Sequence, residues 1–287
     1  MIAQRMELAR EALELAVEIR EEAGADYNAP VNVFDLCGRL SPNVRVHFVD
    51  WSMEACYHRA ERPLIEVSAL RPLGRRVFNC AHELGHHAAG HGSTIDELQE
   101  EGQVFQAKSP NEFFADTFAG MLLMPKLAVR RAFTVRGWKI GSANEVQLYV
   151  VACHFGVGYA TLAKHLAYGL REISAERAET LAKMRLPKLR QQLLGSDCAE
   201  RLLVIDRHYE MPTVDCEVGT HLLLPAGAEV ERAIVVPQAE LPSGRLFLPT
   251  TPGLTRVTAD DGWAAMVRVC RHQYAGWSQY RHLEEED

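Results

Sequence analysis

Apolar positions in this chain recur first with a helical period and, further on, with a period of two. Leu8, Ala12, Leu15 and Ile19 fall on one side of a helix running from Met1 to Arg20, with Glu and Arg between them. That mixture reads as an amphipathic helix and not as a signal peptide. Asn28 to Pro30 breaks the pattern, and Asn43 to Asp50 and Leu64 to Ser68 alternate like half-buried strands. Pro72 and Gly74 turn the chain into a helix expected from about Arg75 to Ala89, closing near Gly90 and Gly92. Ser93 to Ala107 is polar and acidic, a surface loop with some helix. Ser109 suits the N-cap and Pro110 the first position of the next helix, which should reach about Met124 before Pro125 ends it.

Glu145 to Met184 reads as three further helices, with boundaries at Leu186-Pro187 and Leu194-Gly195-Ser196. Within it, Gln147 to Leu166 has helix-turn-helix spacing: Ala152, Phe155, Val157 and Leu162 sit where two helices meet, and Gly156 suits the turn. Beyond about Glu200 the texture changes to short strands between Pro and Gly turns, at Arg201–Ile205, His221–Leu224, Val230–Val236, Leu246–Leu248 and Ala264–Cys270. The expected fold class is a multidomain α+β chain in three parts: residues 1–130, a helix-turn-helix-like helical part over 131–195, and an α+β part with a sheet over 199–287.

Composition narrows the function classes. Apolar residues make up 47% and charged residues 24%, ordinary for a chain that buries a core. No run of about 18 uncharged apolar residues occurs, so no membrane partner is expected. The seven cysteines (Cys37, Cys56, Cys80, Cys153, Cys198, Cys216 and Cys270) are odd in number, widely spaced and free of any C-x-x-C. A secreted disulfide framework and a cysteine-based zinc module are both disfavoured, and a cytoplasmic location is expected. The net charge is −7, and residues 144–198 alone are basic, with 7 Lys+Arg against 5 acids. Strong non-specific nucleic-acid binding needs more positive charge than that. DNA binding through 147–166 is further disfavoured because Lys164 is the one basic residue from Tyr159 to Leu166.

The chemistry concentrates at residues 82–86, His-Glu-Leu-Gly-His. Helical positions four apart face the same way, with Cβ atoms about 5–6 Å apart, so His82 and His86 can reach one Zn²⁺. Glu83 can approach the metal's water without being a ligand and take a proton that the metal has acidified. A third ligand must come from elsewhere. His86 lacks the G-x-x-H continuation of one zinc-peptidase type, although His87 and His91 lie nearby, and these two are read as structural. Glu112, opening the next helix ahead of Phe113, Phe114, Phe118, Leu122 and Leu123, is the best candidate. Ser109-x-x-Glu112 is equally a capping box, and spacing alone leaves both roles open. Asp116, one turn on, can accept a hydrogen bond from a ligating histidine. Asp96, Glu97, Glu100 and Glu101 read as a solvated loop. Zn²⁺ is the expected metal, with Mn²⁺ and Fe²⁺ also open to a His₂Glu set. Cys216 with His221 reads as structural.

Residues 78–91, FNCAHELGHHAAGH, followed by 111–125, NEFFADTFAGMLLMP, resemble the ImmA/IrrE metallopeptidase family. The second motif is carried by Glu112, Ala115, Asp116, Phe118, Ala119 and Leu122-Leu123-Met124-Pro125, and the likeness spans roughly residues 5–130. It implies a thermolysin-like (gluzincin) minimal peptidase core, with Glu112 as third ligand and Leu64–Ser68 as an edge strand that pairs with substrate. The implied substrate is a helix-turn-helix repressor, cut to derepress stress genes. The three-part layout resembles the family's radiation- and desiccation-response regulators and implies a GAF-like sensor over 199–287, taking a small-molecule or redox signal. The competing reading is a DNA-binding regulator with a vestigial metal site.

Overall fold

The structure, a computed structural model, describes residues 2–96, 109–195, 201–211 and 213–283. The chain divides into two compact units, Met1–Val129 with Ala275–Gln279, and Arg130–Tyr274 with Tyr280–Asp287.

The first unit contains α1 (Ile2–Glu22), α2 (Val33–Cys37), β1 (Arg45–Val49), β2 (Ala55–His58), β3 (Leu64–Ser68), α3 (Leu73–Ala88), β4 (Thr94–Asp96) and α4 (Pro110–Leu123). Its sheet runs, in spatial order, from the short strand Gly276–Trp277 through β1, β3 and β2 to β4; β1 and β3 are parallel and the other pairs antiparallel. Val46, Phe48, Ala55, Tyr57, Ile65 and Val67 are buried on one face, where Arg76 of α3 lies over the Phe48 ring and Tyr57 reaches His87 of α3. By strand alternation His47, Cys56, His58 and Glu66 belong to the opposite face.

The expected edge position of Leu64–Ser68 does not hold. β3 is not an edge strand: it pairs with β1 on one side and β2 on the other along its length. Alternation reports one buried face and carries no information about ladder partners, so it could not separate an interior strand from an edge. Among the described residues the outer strands are β4 and Gly276–Trp277. β2, four residues including Cys56 and His58, gave no strand signal.

Arg20, on the first helix, is fully buried. Its guanidinium donates to the carbonyls of Leu122, Asp26 and Ala29, so α1 caps the last turn of α4 with positive charge. Burial lowers its pKa to about 10.

Helix α5 (Lys126–Thr134) crosses the boundary between units. The second unit continues with α6 (Glu145–His154), α7 (Tyr159–Lys164) with a π turn at His165–Gly169, α8 (Ala175–Ala182) and α9 (Leu186–Leu194). A reciprocal capping box between Asn144 and Gln147 starts α6. The chain then turns 102° into α7, at Gly156 with φ +64°, a value glycine adopts without strain. Leu186-Pro187, read as a boundary, opens α9, because proline is at home in a first turn.

The strand-rich segment holds β5 (Leu202–Val204), β6 (Thr213–Glu217), β7 (His221–Leu224), β8 (Glu229–Val230), β9 (Val235–Leu241), β10 (Gly244–Pro249), β11 (Gly253–Thr258) and β12 (Ala264–Cys270). They form two four-stranded sheets, β5-β7-β10-β9 and β6-β12-β11-β8. Val214, Val257 and Val267 of one sheet and Leu222, Val235 and Phe247 of the other belong to one apolar cluster. The predicted run Val230–Val236 splits into β8 and β9, and β6 and β11 were not anticipated. Between Leu202 and Cys270 the regular elements among the described residues are all strands. No single helix among the described residues is long and apolar enough to cross a membrane; the α6–α7 pair passes by composition but is bent and largely buried.

Candidate metal centre

The site is built on α3 and α4. The N-terminal half of α3 is pinned by Glu54, buried ahead of β2, which accepts from Asn79 at 2.8 Å and pairs with Arg71 and Arg75 at 3.1 and 2.9 Å. The later turns of α3 carry His82, Glu83 and His86, all buried. Gly85 lets α4 approach: a Cβ there would lie 3.0 Å from the Phe118 ring and 3.2 Å from the Ala115 Cα. Ser109 caps α4 by accepting from the Glu112 N–H at 3.2 Å, with Pro110 at N1 as expected. That places Glu112 in the first turn of α4.

The Glu112 carboxylate reaches the imidazoles, with Oε2 3.2 Å from His82 Nε2 and Oε1 3.4 Å from His86 Nε2. The two Nε2 atoms are 3.2 Å apart. The backbone cap and the turn toward histidine therefore coexist at Glu112, one through its N–H and the other through its carboxylate.

The outer nitrogens decide what faces inward. His82 Nδ1 is 3.0 Å from Asp116 Oδ1, and because an ionised carboxylate only accepts, Nδ1 carries the proton and Nε2 a lone pair. His86 Nδ1 is 2.9 Å from His91 Nδ1. His91 gets there through the end of α3. Its N–H bonds to His86 O and that of Gly90 to His87 O, with Gly90 at φ +66°, so the chain folds back and lays the His91 ring against His86. Burial first, and His86 second, lower the His91 pKa, which suits a neutral acceptor. Two imidazole lone pairs and a carboxylate facing one another at 3.2–3.4 Å repel unless a cation lies among them. The donor set thus fits a divalent ion of the zinc class.

Glu83 points to the sheet side of the site. It is fully buried, and Thr94 of β4 donates its hydroxyl hydrogen to Glu83 Oε2 at 2.6 Å. His87, read as structural, bonds to the Tyr57 hydroxyl at 2.9 Å. All five sequence-selected residues, His82, Glu83, His86, Glu112 and Asp116, thus come from adjoining turns of two packed helices. His91 and Thr94 were missed as partners; only the Gly90 helix stop hinted that His91 returns. Glu97, Glu100, Glu101 and Cys198 lie outside the described residues, as does most of the predicted 93–107 loop. Cys216 and His221 stand on strands of different sheets.

A mixed α/β domain with a His-His-Glu donor set on two helices defines a candidate metallopeptidase domain. Residues 38–167, the stretch carrying the site, match the family model described as Peptidase_M78, the IrrE N-terminal-like domain. The match starts later than the motif likeness and runs on through α6 and α7. A search of curated proteins returned no match to the chain.

Proposed function

We propose that this chain is a metal-dependent, site-specific endopeptidase in which His82, His86 and Glu112 hold Zn²⁺, with Mn²⁺ also compatible, and Glu83 is the general base. The observation that carries the reading is the convergence of His82 Nε2, His86 Nε2 and the Glu112 carboxylate within 3.2–3.4 Å of one another, with Glu83 buried on the same turn of α3 as His82. A divalent ion at that point supplies Lewis-acid polarisation of the scissile carbonyl and of the attacking water. Glu83 takes the water's proton and passes it to the leaving amine. Asp116 and His91 hold the two imidazoles in the tautomer that presents Nε2. An extended substrate adds to the sheet at β4, the outer strand among the described residues and the one that supplies Thr94.

The substrate proposed from the family resemblance is a helix-turn-helix repressor, whose cleavage induces a DNA-damage and radiation response. On the same basis the two-sheet segment is proposed as the GAF-like sensor of a small-molecule or redox signal. The alternative, a DNA-binding regulator with a vestigial metal site, draws support from the 102° turn between α6 and α7, within the usual helix-turn-helix range. Against it, the exposed stripe of the second helix is Ala160, Lys164 and Tyr168, one cation on three positions, which suits protein docking better than phosphate contacts.

The test is Glu83→Gln. The variant should keep its zinc and lose cleavage of a helix-turn-helix repressor. Retained cleavage would overturn the general-base assignment, and loss of zinc would show that Glu83 serves the metal directly.

A further inference from the structure

A second group of donors lies on the sheet face opposite α3. Cys56 of β2 stands directly across from Glu66 of β3, and His58 lies two residues along β2 on the same face. Cys56 Sγ is 3.1 Å from His58 Nε2 and 3.7 Å from Glu66 Oε2, and His58 Nε2 is 2.7 Å from Glu66 Oε2. His47 of β1, paired in register with Glu66, sets its Nδ1 3.6 Å from the other carboxylate oxygen. The register is locked from the far face: Val46, Phe48, Ala55, Tyr57, Ile65 and Val67 are buried there, and a one-residue slip would expose all of them. The donors are therefore held together by the core and not by their own attraction.

We propose that Cys56, His58 and Glu66 form a second cation site, separate from the α3–α4 centre, for one divalent ion of the zinc class. Ligands at about 2.0–2.3 Å from a tetrahedral ion stand about 3.3–3.6 Å apart. Two of the separations here, 3.1 and 3.7 Å, bracket that range. The third, 2.7 Å, opens with a small rotation of His58, whose side chain is 45% exposed. A sulfur donor selects zinc-class ions over Mg²⁺, Ca²⁺ and Mn²⁺, which favour oxygen. Three protein donors leave a position for water. The half-exposed His58 gives the ion a way in, while Cys56 is 1% exposed. A bound ion displaces the thiol proton and clamps β2 to β3 beside the outer strand β4.

Cobalt(II) reads the two sites separately, because a sulfur-to-cobalt charge-transfer band requires a thiolate and the His82–His86–Glu112 set has none. The full chain titrated with Co²⁺ should bind two equivalents, one of them raising the near-ultraviolet band. Cys56→Ser should lose the band and that equivalent, whereas His82→Ala should lose the other equivalent and keep the band. Because Cys56 is buried, His58→Ala on the partly exposed neighbour provides a second variant; it should weaken the band-forming equivalent by at least about tenfold. A full chain that binds one equivalent without the band would overturn the proposal and leave a Cys–His–Glu hydrogen-bond cluster. A band that survives in Cys56→Ser would assign the thiolate elsewhere and overturn it equally. Failure of the peptidase reading shows instead as retained cleavage in Glu83→Gln, which none of these cobalt outcomes touches.

Discussion

Thr94 Oγ1 donates to Glu83 Oε2 at 2.6 Å, so the first residue of the outer strand holds the carboxylate proposed as general base. The bond links the strand proposed to receive substrate with the group proposed to move its proton. A hydrogen bond to an ionised group contributes about 1.5–3 kcal/mol. Thr94→Val keeps the side-chain shape and removes the donor. It should lower kcat by at least about tenfold with metal content unchanged. Thr94→Ser should recover most of the loss. A valine variant with full kcat would show that the carboxylate is positioned by packing alone.

Asp116 acts through His82. The Nδ1–H to Oδ1 contact at 3.0 Å fixes the ring and its tautomer, and a neutral amide accepts that hydrogen more weakly. Asp116→Asn should weaken zinc binding at the α3–α4 centre by about 10–100-fold, read by competition with a chelator of known affinity. An unchanged affinity would reduce Asp116 to a surface carboxylate.

Gly85 sets how closely the two helices approach. Alanine is the better helix former by up to about 1 kcal/mol, so on propensity Gly85→Ala should stabilise α3. Its Cβ would instead meet the Phe118 ring at 3.0 and 3.2 Å and the Ala115 Cα at 3.2 Å. Phe118 and Ala115 are themselves fully buried, so neither has room to retreat. Overpacking of this kind costs about 1–3 kcal/mol. The variant should melt earlier and also bind zinc less tightly, since α4 moves with Glu112 on its first turn. A higher melting temperature would mean that the helices separate freely.

The two helices of the site were legible because their signals are local. The i, i+4 histidines, the Ser109-Pro110 start and the Gly90 stop each act within one or two turns. Glu112 was ambiguous from spacing because one residue can serve the cap through its N–H and the imidazoles through its carboxylate, and it does both. What stayed hidden depends on partners distant in sequence. The edge position of β3 was implied by the resemblance alone, and period-two burial, which says nothing about which ladders are filled, could not correct it. The burial of Arg20 had no sequence signal because only the fold brings the Leu122 carbonyl to it. Cys56, His58 and Glu66 had no motif, since cross-strand register and not spacing along the chain unites them.

His154 makes the second unit sensitive to acid. It is buried at the end of α6, between the Phe155 and Tyr209 rings, and Arg136 approaches its Nδ1 at 3.3 Å. Burial first, then the Arg136 charge, lower its pKa from 6.5 to about 3, with Asp206 opposing and His208 and Arg131 adding to the fall. The folded chain thus keeps this histidine neutral while the unfolded chain protonates it. Between about pH 6.5 and 3 the unfolded state binds more protons, so stability falls as pH falls through that window and is fully present above it. The slope from this residue approaches about 1.4 kcal/mol per pH unit. Arg136 retains its bonds to Asp206 at 2.6 and 2.7 Å when the imidazole is removed, so His154→Leu should fold. Denaturation followed from pH 7 to pH 4 should show a shallower decline for His154→Leu than for the natural chain. Parallel declines would mean that His154 meets solvent before unfolding and does not govern the acid response.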